Sequence, residues 1–215
     1  DLHIGKQLHH YNLAAEQRKT LAQIVALAKS EHPDAILIAG DIYDTPVPSA
    51  EAVSVFDAFL SALCEIEPQI AVMIIAGNHD SARRIDFASS ILAKHEVYIT
   101  GLPPMQEGET IRRVTLADGY GEVDFYLLPF VKPGYVRKLF DEEIKGYDMA
   151  VRRLIEREEI DPARRCVILS HQFYTAGGKE PPTCDSEIHY VGGVENVDAG
   201  VLAPFDYAAL GHIHR

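Results

Sequence analysis

Five short motifs of this chain carry histidine, aspartate or asparagine, residue types that bind divalent metal ions through nitrogen or oxygen. The motifs are DLH (1–3), GDIYD (40–44), GNHD (77–80), the single His171 and GHIH (211–214). Four of them directly follow an apolar run, and such runs are typical of buried strands. Because α/β proteins place their sites at the carboxyl ends of strands, we expect the motifs to meet at one edge of a sheet.

The predicted ligand set combines imidazole, carboxylate and amide groups without cysteine. Its members are Asp1, His3, Asp41, Asn78, His171, His212 and His214. In an extended segment Asp1 and His3 would point the same way. The donor types favour manganese, iron or zinc in open, water-bearing coordination over a closed structural zinc site. Asp41 is the natural bridge between two metals, and two metals about 3.5–4 Å apart can clamp a phosphorus centre for in-line displacement.

Each motif taken alone has an ordinary explanation. A single histidine at a strand end is more often a core or surface residue, and GNHD could form a turn. GDIYD by itself is a weak signal. Five such motifs at predicted strand ends are hard to produce by chance, so together they favour a two-metal site.

The elements that must position these motifs alternate between helices and short apolar strands. We predict helices over 13–29, 50–63, about 87–94 and about 141–159, and strands over 35–40, 70–77, 97–100, 166–171 and 205–211. Residues 110–116 and 123–128 flank ADGYGE and predict an antiparallel hairpin. Ser49 is the predicted N-cap of the second helix. The order predicts an α/β sandwich with helices covering mixed sheets.

Several local environments follow from composition. The strand at 35–40 should be buried on both faces, and the charged helix at 141–159 should face solvent. Four apolar residues of the second helix are expected in the core, as is Cys64. The four are Val53, Phe56, Phe59 and Leu60. Residues 172–204 are rich in Gly, Pro, Asp and Ser, which predicts a mostly irregular loop that carries function.

Composition excludes some classes of protein. With 47% hydrophobic and 24% charged residues the 215-residue chain is not disordered, and it has no run of ~18 apolar residues. Three scattered cysteines and the absence of a signal-peptide pattern favour free thiols and a reducing cytoplasm. The net charge of −12 argues against a free-standing nucleic-acid binder. A nuclease with this charge must concentrate its basic residues, use metal ions or borrow a basic surface from a partner.

Together the motifs DxH, GDxxD, GNHD, a single histidine and GHxH resemble the calcineurin-like metallophosphoesterase superfamily. Longer segments are similar to the SbcD family of bacterial nuclease subunits, over essentially the whole chain. These segments are GDIYDTPVPS, GNHDSARRIDFAS, LPFVKPGYVR, DSEIHYVGGVENVDA and FDYAALGHIHR. The resemblance implies a Mn²⁺-dependent DNA nuclease of repair and recombination, with 3′-to-5′ double-strand exonuclease and single-strand or hairpin endonuclease activity. It also implies an SMC-like ATPase partner, SbcC, and a homodimer within a heterotetramer.

Carried over by motif, the resemblance divides the ligands between two metals. Asp1, His3, Asp41 and His214 would hold the first, and Asp41, Asn78, His171 and His212 the second. His79 would face the leaving oxygen as proton donor or charge stabiliser, and the nucleophile would be a metal-bound hydroxide. Asp80 either orients His79 or caps the following turn. Archaeal and eukaryotic relatives usually have histidine at the position of Asp44, whereas the bacterial family has aspartate, and Asp44 either tunes the site or caps a turn.

The resemblance also bears on boundaries and DNA contacts. We expect residues 1–215 to be the phosphoesterase core, with the family's first strand and C-terminal capping domain lying outside them. Arg83 and Arg84, just past GNHD, are candidate phosphate contacts, as is Lys6, which neighbours His9 and His10. For each of these basic residues a solvated surface role is the alternative. His189 could line the rim of the site or lie on the surface.

Two other functions fit parts of the pattern. A different phosphoesterase of the same superfamily, acting on phosphoproteins or small phosphodiesters, would share the ligands but not the longer segments. A non-catalytic scaffold with a degenerate phosphoesterase fold would lack some of the ligands, whereas all seven and His79 are present. The sequence therefore favours the nuclease.

Overall fold

A computed structural model of the chain describes residues 1–177 and 195–214. The chain divides into two compact units, Asp1–Gly101 and Leu102–Arg215, and each is described by itself. No helix in the described ranges is both long and apolar enough to cross a membrane.

The first unit is built on a three-stranded parallel sheet. The strands of the whole unit in chain order are β1 (Gln7–Leu8), β2 (Tyr11–Asn12), β3 (Ala35–Ala39), β4 (Ala71–Ile75) and β5 (Val97–Thr100). Its helices are α1 (Ala14–Glu31), α2 (Ala50–Cys64), α3 (Ala82–Ile85) and α4 (Ser89–Leu92). The sheet has the order β3-β4-β5, and β1 and β2 form a separate antiparallel hairpin.

One face of this sheet packs against α1 and α2. Ile38, Ile74 and Ile99 lie side by side in register across the three strands, and all three belong to the unit's buried apolar cluster. The helices add the apolar stripes of their inward faces, among them Leu21 and Phe59. The hydroxyl of Ser49 accepts a hydrogen bond from the backbone nitrogen of Ala52 and caps α2, as predicted.

The second unit is built on a four-stranded mixed sheet. Its strands are β6 (Arg112–Asp118), β7 (Gly121–Leu128), β8 (Arg165–His171), β9 (Phe173–Thr175), β10 (Asn196–Asp198) and β11 (Tyr207–Gly211). Its helices are α5 (Pro133–Val136) and α6 (Gly146–Glu156). The order is β11-β8-β7-β6, in which β6 and β7 form the predicted antiparallel hairpin and the other pairs are parallel. β9 and β10 pair in parallel as a second, two-stranded sheet.

The structure confirms the α/β class with mixed sheets flanked by helices, and it corrects several local predictions. α6 does not simply face solvent, because Ala150, Val151, Leu154 and Ile155 form a buried stripe in the core of the second unit. The predicted helix at about 87–94 is present as α4 followed by a 3₁₀ turn at Ala93–His95, and it begins at Ser89 because Ala88 has a left-handed φ of 60°.

Another difference concerns a strand. β3 is not buried on both faces, because Ile38 alone of its five residues is buried. In the segment 172–204 the described residues, 172–177 and 195–204, contain β9, β10 and a 3₁₀ turn at Ala199–Leu202, and the mostly irregular character of the whole segment stays a prediction.

The core predictions for α2 hold for Phe56 and Phe59, which are buried, but not for Val53, which is 45% exposed. Leu60 and Cys64 are half-buried and pack against the cluster. Cys64 is a free thiol, and burial raises its pKa. Cys184 lies outside the described residues.

Candidate metal centre

Asp41 is the centre of the site in the first unit. It follows Gly40 at the end of β3, and its side chain is 3% exposed. Asp41 has a φ of 46°, in the left-handed region that costs a residue with a Cβ roughly 1–2 kcal/mol. Backbone strain of this kind collects at functional sites, where the surrounding contacts maintain it. The left-handed conformation of Asp41 turns the chain sharply directly after β3.

The N-terminal segment runs alongside this turn. The carbonyl of Asp41 accepts hydrogen bonds from the backbone nitrogens of Leu2 at 2.8 Å and His3 at 2.9 Å, and Ile4 bonds in the same way to Ile42. His3 itself has a φ of 44°, so the prediction of an extended Asp1–His3 segment is wrong. Bonding to the Asp41 turn, rather than strand geometry, sets the position of His3.

The His3 ring lies between two carboxylates. Its Nε2 is 3.6 Å from Oδ2 of Asp41, and its Nδ1 is 3.3 Å from Oδ1 of Asp44. The ring is nearly buried, with 10% of the side chain exposed. Asp44 thus contacts a predicted ligand, which favours its role in tuning the site over that of a simple turn cap.

His79 is held by the same two aspartates. Its backbone nitrogen donates to Oδ1 of Asp41 at 2.9 Å, and its Nδ1 lies 2.9 Å from the carbonyl oxygen of Asp44. Because a carbonyl oxygen can only accept, Nδ1 carries the hydrogen and Nε2 is the nitrogen left for other partners. The rings of His79 and His3 meet edge to face, with centroids 4.9 Å apart.

Asp80 joins the two ligand loops, residues 40–44 and residues 77–80, through backbone hydrogen bonds. Its carboxylate accepts hydrogen bonds from the nitrogens of Ile42 at 3.1 Å, Tyr43 at 3.0 Å and Gly77 at 2.9 Å. Burial raises the pKa of Asp80, although these three bonds act to lower it, and the charge of Asp41 raises it further. Burial and the charge of Asp80 in turn raise the pKa of Tyr43 to about 12.

These contacts bear on the two roles left open for Asp80. They are not a cap of the following turn, because the three donor nitrogens all precede Asp80 in the chain. Asp80 positions Asp41 and His79 by fixing the turns on which they stand. Its part in orienting the His79 ring directly stays a prediction.

The donor atoms of the first unit suit a divalent metal. One atom each from His3, Asp41 and His79 lie within 4.8 Å of one another, and an oxygen of Asp1 lies within 4.8 Å of one of Asp41. Imidazole nitrogen and carboxylate oxygen are the donors that manganese, iron and zinc accept. By distance alone His79 could itself be a ligand, so its assignment as proton donor stays a prediction.

The second unit carries its own group of histidines. His171 is the fully buried last residue of β8, and its register partner on β11 is Gly211, which precedes His212. The rings of His171 and His212 have centroids 5.2 Å apart, and His212 has a φ of 87°. Phe130 stacks on His212 at 6.2 Å and contacts His171 edge-on at the same distance.

The remaining predicted residues lie near strand ends or on the surface. Asn78 and His214 are half-buried, the first between Gly77 and His79 and the second just past β11. Arg83 and Arg84 are exposed on α3 and form no ion pair within the described residues. Lys6 is partly exposed before the β1–β2 hairpin, whose tip carries the exposed His9 and His10. His189 lies outside the described residues.

Two positions support the site in ways that the motifs did not reveal. The first is Gly77, where a Cβ would overlap the carboxylate and backbone nitrogen of Asp41. Its place in GNHD was visible, but the close approach was not. The second is Gln17 on α1, whose amide bonds to the backbone around His3. No sequence signal distinguishes Gln17 from the other polar residues of that helix.

The sequence matches the family model for calcineurin-like phosphoesterases over residues 1–215. It is also 34% identical, over 219 residues, to the SbcD component of the nuclease SbcCD of Staphylococcus epidermidis (strain ATCC 12228 / FDA PCI 1200). That match covers 100% of this chain and 55% of the relative. The chain therefore spans about half the length of this curated relative. The comparisons agree with the resemblance drawn from the motifs.

Proposed function

This chain belongs to the calcineurin-like phosphoesterase family, and we propose that it is the catalytic core of a Mn²⁺-dependent DNA nuclease. The observation that carries the proposal is the convergence of His3, Asp41 and His79 in the first unit, each held by several contacts. The similarity to a protein named as part of a nuclease supports DNA as the substrate. Both exonuclease and hairpin or single-strand endonuclease activity belong to this proposal.

The residues that would hold the metals are the seven predicted from the motifs. Once bound, two divalent cations would neutralise charge on the phosphodiester and make a water molecule nucleophilic near neutral pH. The chain's own part is to fix the ligands in advance. Asp80 holds the two ligand loops together, and Asp44 contacts the side chain of His3 and accepts from the ring of His79.

His79 is proposed to protonate or stabilise the leaving oxygen. Its Nδ1 donates to the Asp44 carbonyl, which fixes the ring. The proton given to the leaving oxygen would come from Nε2 of the doubly protonated imidazolium, which returns to the neutral form with its hydrogen on Nδ1. A histidine that acts as a general acid commonly has its Nδ1 hydrogen-bonded to a fixed acceptor, since this bond sets the angle of the ring and directs Nε2 to the substrate. In this role His79 contributes to bond cleavage without taking part in metal binding.

Partners and location are proposed on the same basis. The net charge of −12 is unfavourable for independent DNA binding, so a basic surface from elsewhere must contribute. We infer that an SMC-like ATPase of the SbcC type and a second copy of the chain supply it, within a heterotetramer in the cytoplasm. Arg83, Arg84 and Lys6 would add local phosphate contacts beside the site.

The test is cleavage of a hairpin-ended DNA duplex by the full-length protein, with and without the ATPase partner, at increasing Mn²⁺. Asp41→Asn should abolish cleavage and metal binding, whereas Asp57→Asn, an exposed aspartate on α2, should leave both unchanged. Hydrolysis of bis(p-nitrophenyl) phosphate without DNA cleavage, even with the partner, would favour a different phosphodiesterase. The enzyme proposal would be overturned, and the scaffold favoured, if the protein bound no Mn²⁺ or if it hydrolysed neither of the two substrates.

A further inference from the structure

We propose that Gln17 is a positioning residue of the metal centre. Its side chain holds the His3 loop, residues 2–5, in the conformation that presents the His3 ring as a metal ligand. The inference rests on the proposed function, because it assigns a role relative to metal binding by His3. Gln17 lies in the first turns of α1, outside all five motifs. It acts through the backbone of the loop, to which its amide is hydrogen-bonded.

The amide of Gln17 makes three hydrogen bonds to this loop. Its Nε2 donates to the carbonyl oxygen of His3 at 2.7 Å and, more weakly, to that of Leu2 at 3.4 Å. Its Oε1 accepts from the backbone nitrogen of Gly5 at 3.0 Å. One side chain therefore fixes the peptide groups on both sides of His3.

The loop needs this restraint because its backbone is unfavourable on its own. His3 has a φ of 44° and Gly5 a φ of 93°, so two of the three residues from 3 to 5 are left-handed. For His3 that conformation costs roughly 1–2 kcal/mol. If the loop relaxed, the His3 ring would lose its place between Asp41 and Asp44, where its nitrogens lie 3.6 and 3.3 Å from the carboxylates.

Only an amide can make this set of bonds. The loop presents carbonyl acceptors and an N–H donor to the same side chain, which requires one donating and one accepting group. Glutamate has the right length but cannot donate when ionised, so it would face two carbonyl oxygens with a negative charge. Methionine has similar length and volume and neither donates nor accepts strongly.

A small cavity beside the loop makes the variants testable. Gln17 and Gly5 are among the residues that line a polar space of about 30 Å³, which is more than one water molecule needs. Water could satisfy the loop's polar groups in a variant, so the fold should survive. A water molecule cannot restrain the loop as a covalently attached side chain does.

The experiment uses the full-length protein and compares Gln17→Met and Gln17→Glu with Gln23→Met. Gln23 is an exposed glutamine on the same helix, so its variant controls for the change in helix propensity. Mn²⁺ binding is measured by titration calorimetry and by the EPR signal of free Mn²⁺. The unfolding midpoint is measured in EDTA.

We expect wild type and Gln23→Met to bind two Mn²⁺ per chain with equal affinities. Both Gln17 variants should weaken one of the two sites by about 10- to 100-fold, the usual effect of losing a group that orients a metal ligand. The other site should keep its affinity, and the midpoint in EDTA should follow that of Gln23→Met.

Two results would overturn the inference. Unchanged binding of both ions by Gln17→Met would show that metal binding does not need the hydrogen bonds from the Gln17 amide to the His3 loop. Equal weakening of both sites with a large fall of the midpoint would show a merely structural residue. Failure of the wild type to bind Mn²⁺ would instead contradict the proposed function, so the two failures are distinguishable.

Discussion

Gly77 lies so close to Asp41 that a Cβ at position 77 would overlap both the carboxylate and the backbone nitrogen of Asp41. The loop after β4 and the loop after β3 therefore pass each other with no room for a side chain between them. This contact lets the backbone nitrogen of His79 reach Oδ1 of Asp41. Glycine is required at position 77 because a Cβ does not fit against Asp41. Backbone conformation does not require glycine there, because the φ of Gly77 lies outside the left-handed region.

We predict that Gly77→Ala lowers the free energy of unfolding by about 3 kcal/mol or more, because the added methyl group meets backbone rather than a movable side-chain end. Urea unfolding followed by circular dichroism measures this. Gly134→Ala is the control, since a Cβ there meets nothing within 4 Å and the position is helical. Equal stability of the two variants would show that the loops can separate without cost.

Asp80→Asn should destabilise the first unit by about 3 kcal/mol, because an amide cannot accept from three backbone nitrogens as a carboxylate does. It should also weaken Mn²⁺ binding, since Asp41 and His79 stand on the turns that Asp80 joins. Denaturant unfolding and metal titration test the two effects. Asp86→Asn, an exposed aspartate six residues on, should change neither.

His79→Ala should reduce DNA cleavage by about 10²- to 10⁴-fold, the usual contribution of a general acid, with Mn²⁺ stoichiometry unchanged. The loss should be much smaller on bis(p-nitrophenyl) phosphate, because nitrophenolate leaves without protonation. Comparing kcat on the two substrates separates the roles. An equal loss on both substrates, or loss of a bound ion, would identify His79 as a metal ligand instead.

Replacing Arg83 and Arg84 together by alanine should raise KM for DNA and leave hydrolysis of the small diester unchanged. If both contact phosphate, the slope of log affinity against log salt should fall by about 1.4 to 1.8. Arg152 and Arg153, whose guanidinium groups bond to acidic neighbours, provide a matched double variant. A salt slope that is the same in both double variants would assign Arg83 and Arg84 to solvated surface.

Asp124 on β7 gives a pH prediction away from the metal site. Burial acts to raise the pKa of Asp124, but hydrogen bonds from Thr115 and Arg164 outweigh it and hold the pKa below its ordinary value. A depressed folded pKa stabilises the protein above the unfolded value of about 3.9, and this stabilisation is lost as pH falls through the folded value. The wild type should therefore lose stability below about pH 5 more steeply than Asp124→Asn.

Urea unfolding between pH 2 and pH 7 measures the difference between the two proteins, with exposed Asp141→Asn as control. The advantage of the wild type over Asp124→Asn should shrink towards the acid end. An advantage that stays constant over the range would mean that Asp124 has the same pKa folded and unfolded.

The elements that could be predicted were those with strong local patterns. The fully apolar run of β4, the capped and amphipathic α2 and the β6–β7 hairpin each have a signal within a few residues. α6 was misjudged because its four buried residues are interleaved with charges, so only packing shows which side is covered. The start of α4 at Ser89 could not be predicted, because alanine favours helix and gives no sign of the left-handed conformation at Ala88.

The sequence by itself determined the chemistry of this protein: which residue types are present, their place after apolar runs and the family that they indicate. Tertiary structure alone decided how those residues are held. The bonds of Asp80 to the loop after β3 and the bonds of the Gln17 amide to the backbone around His3 join residues 12 to 38 positions apart. Such contacts depend on where whole elements pack, and no local pattern of residues encodes that.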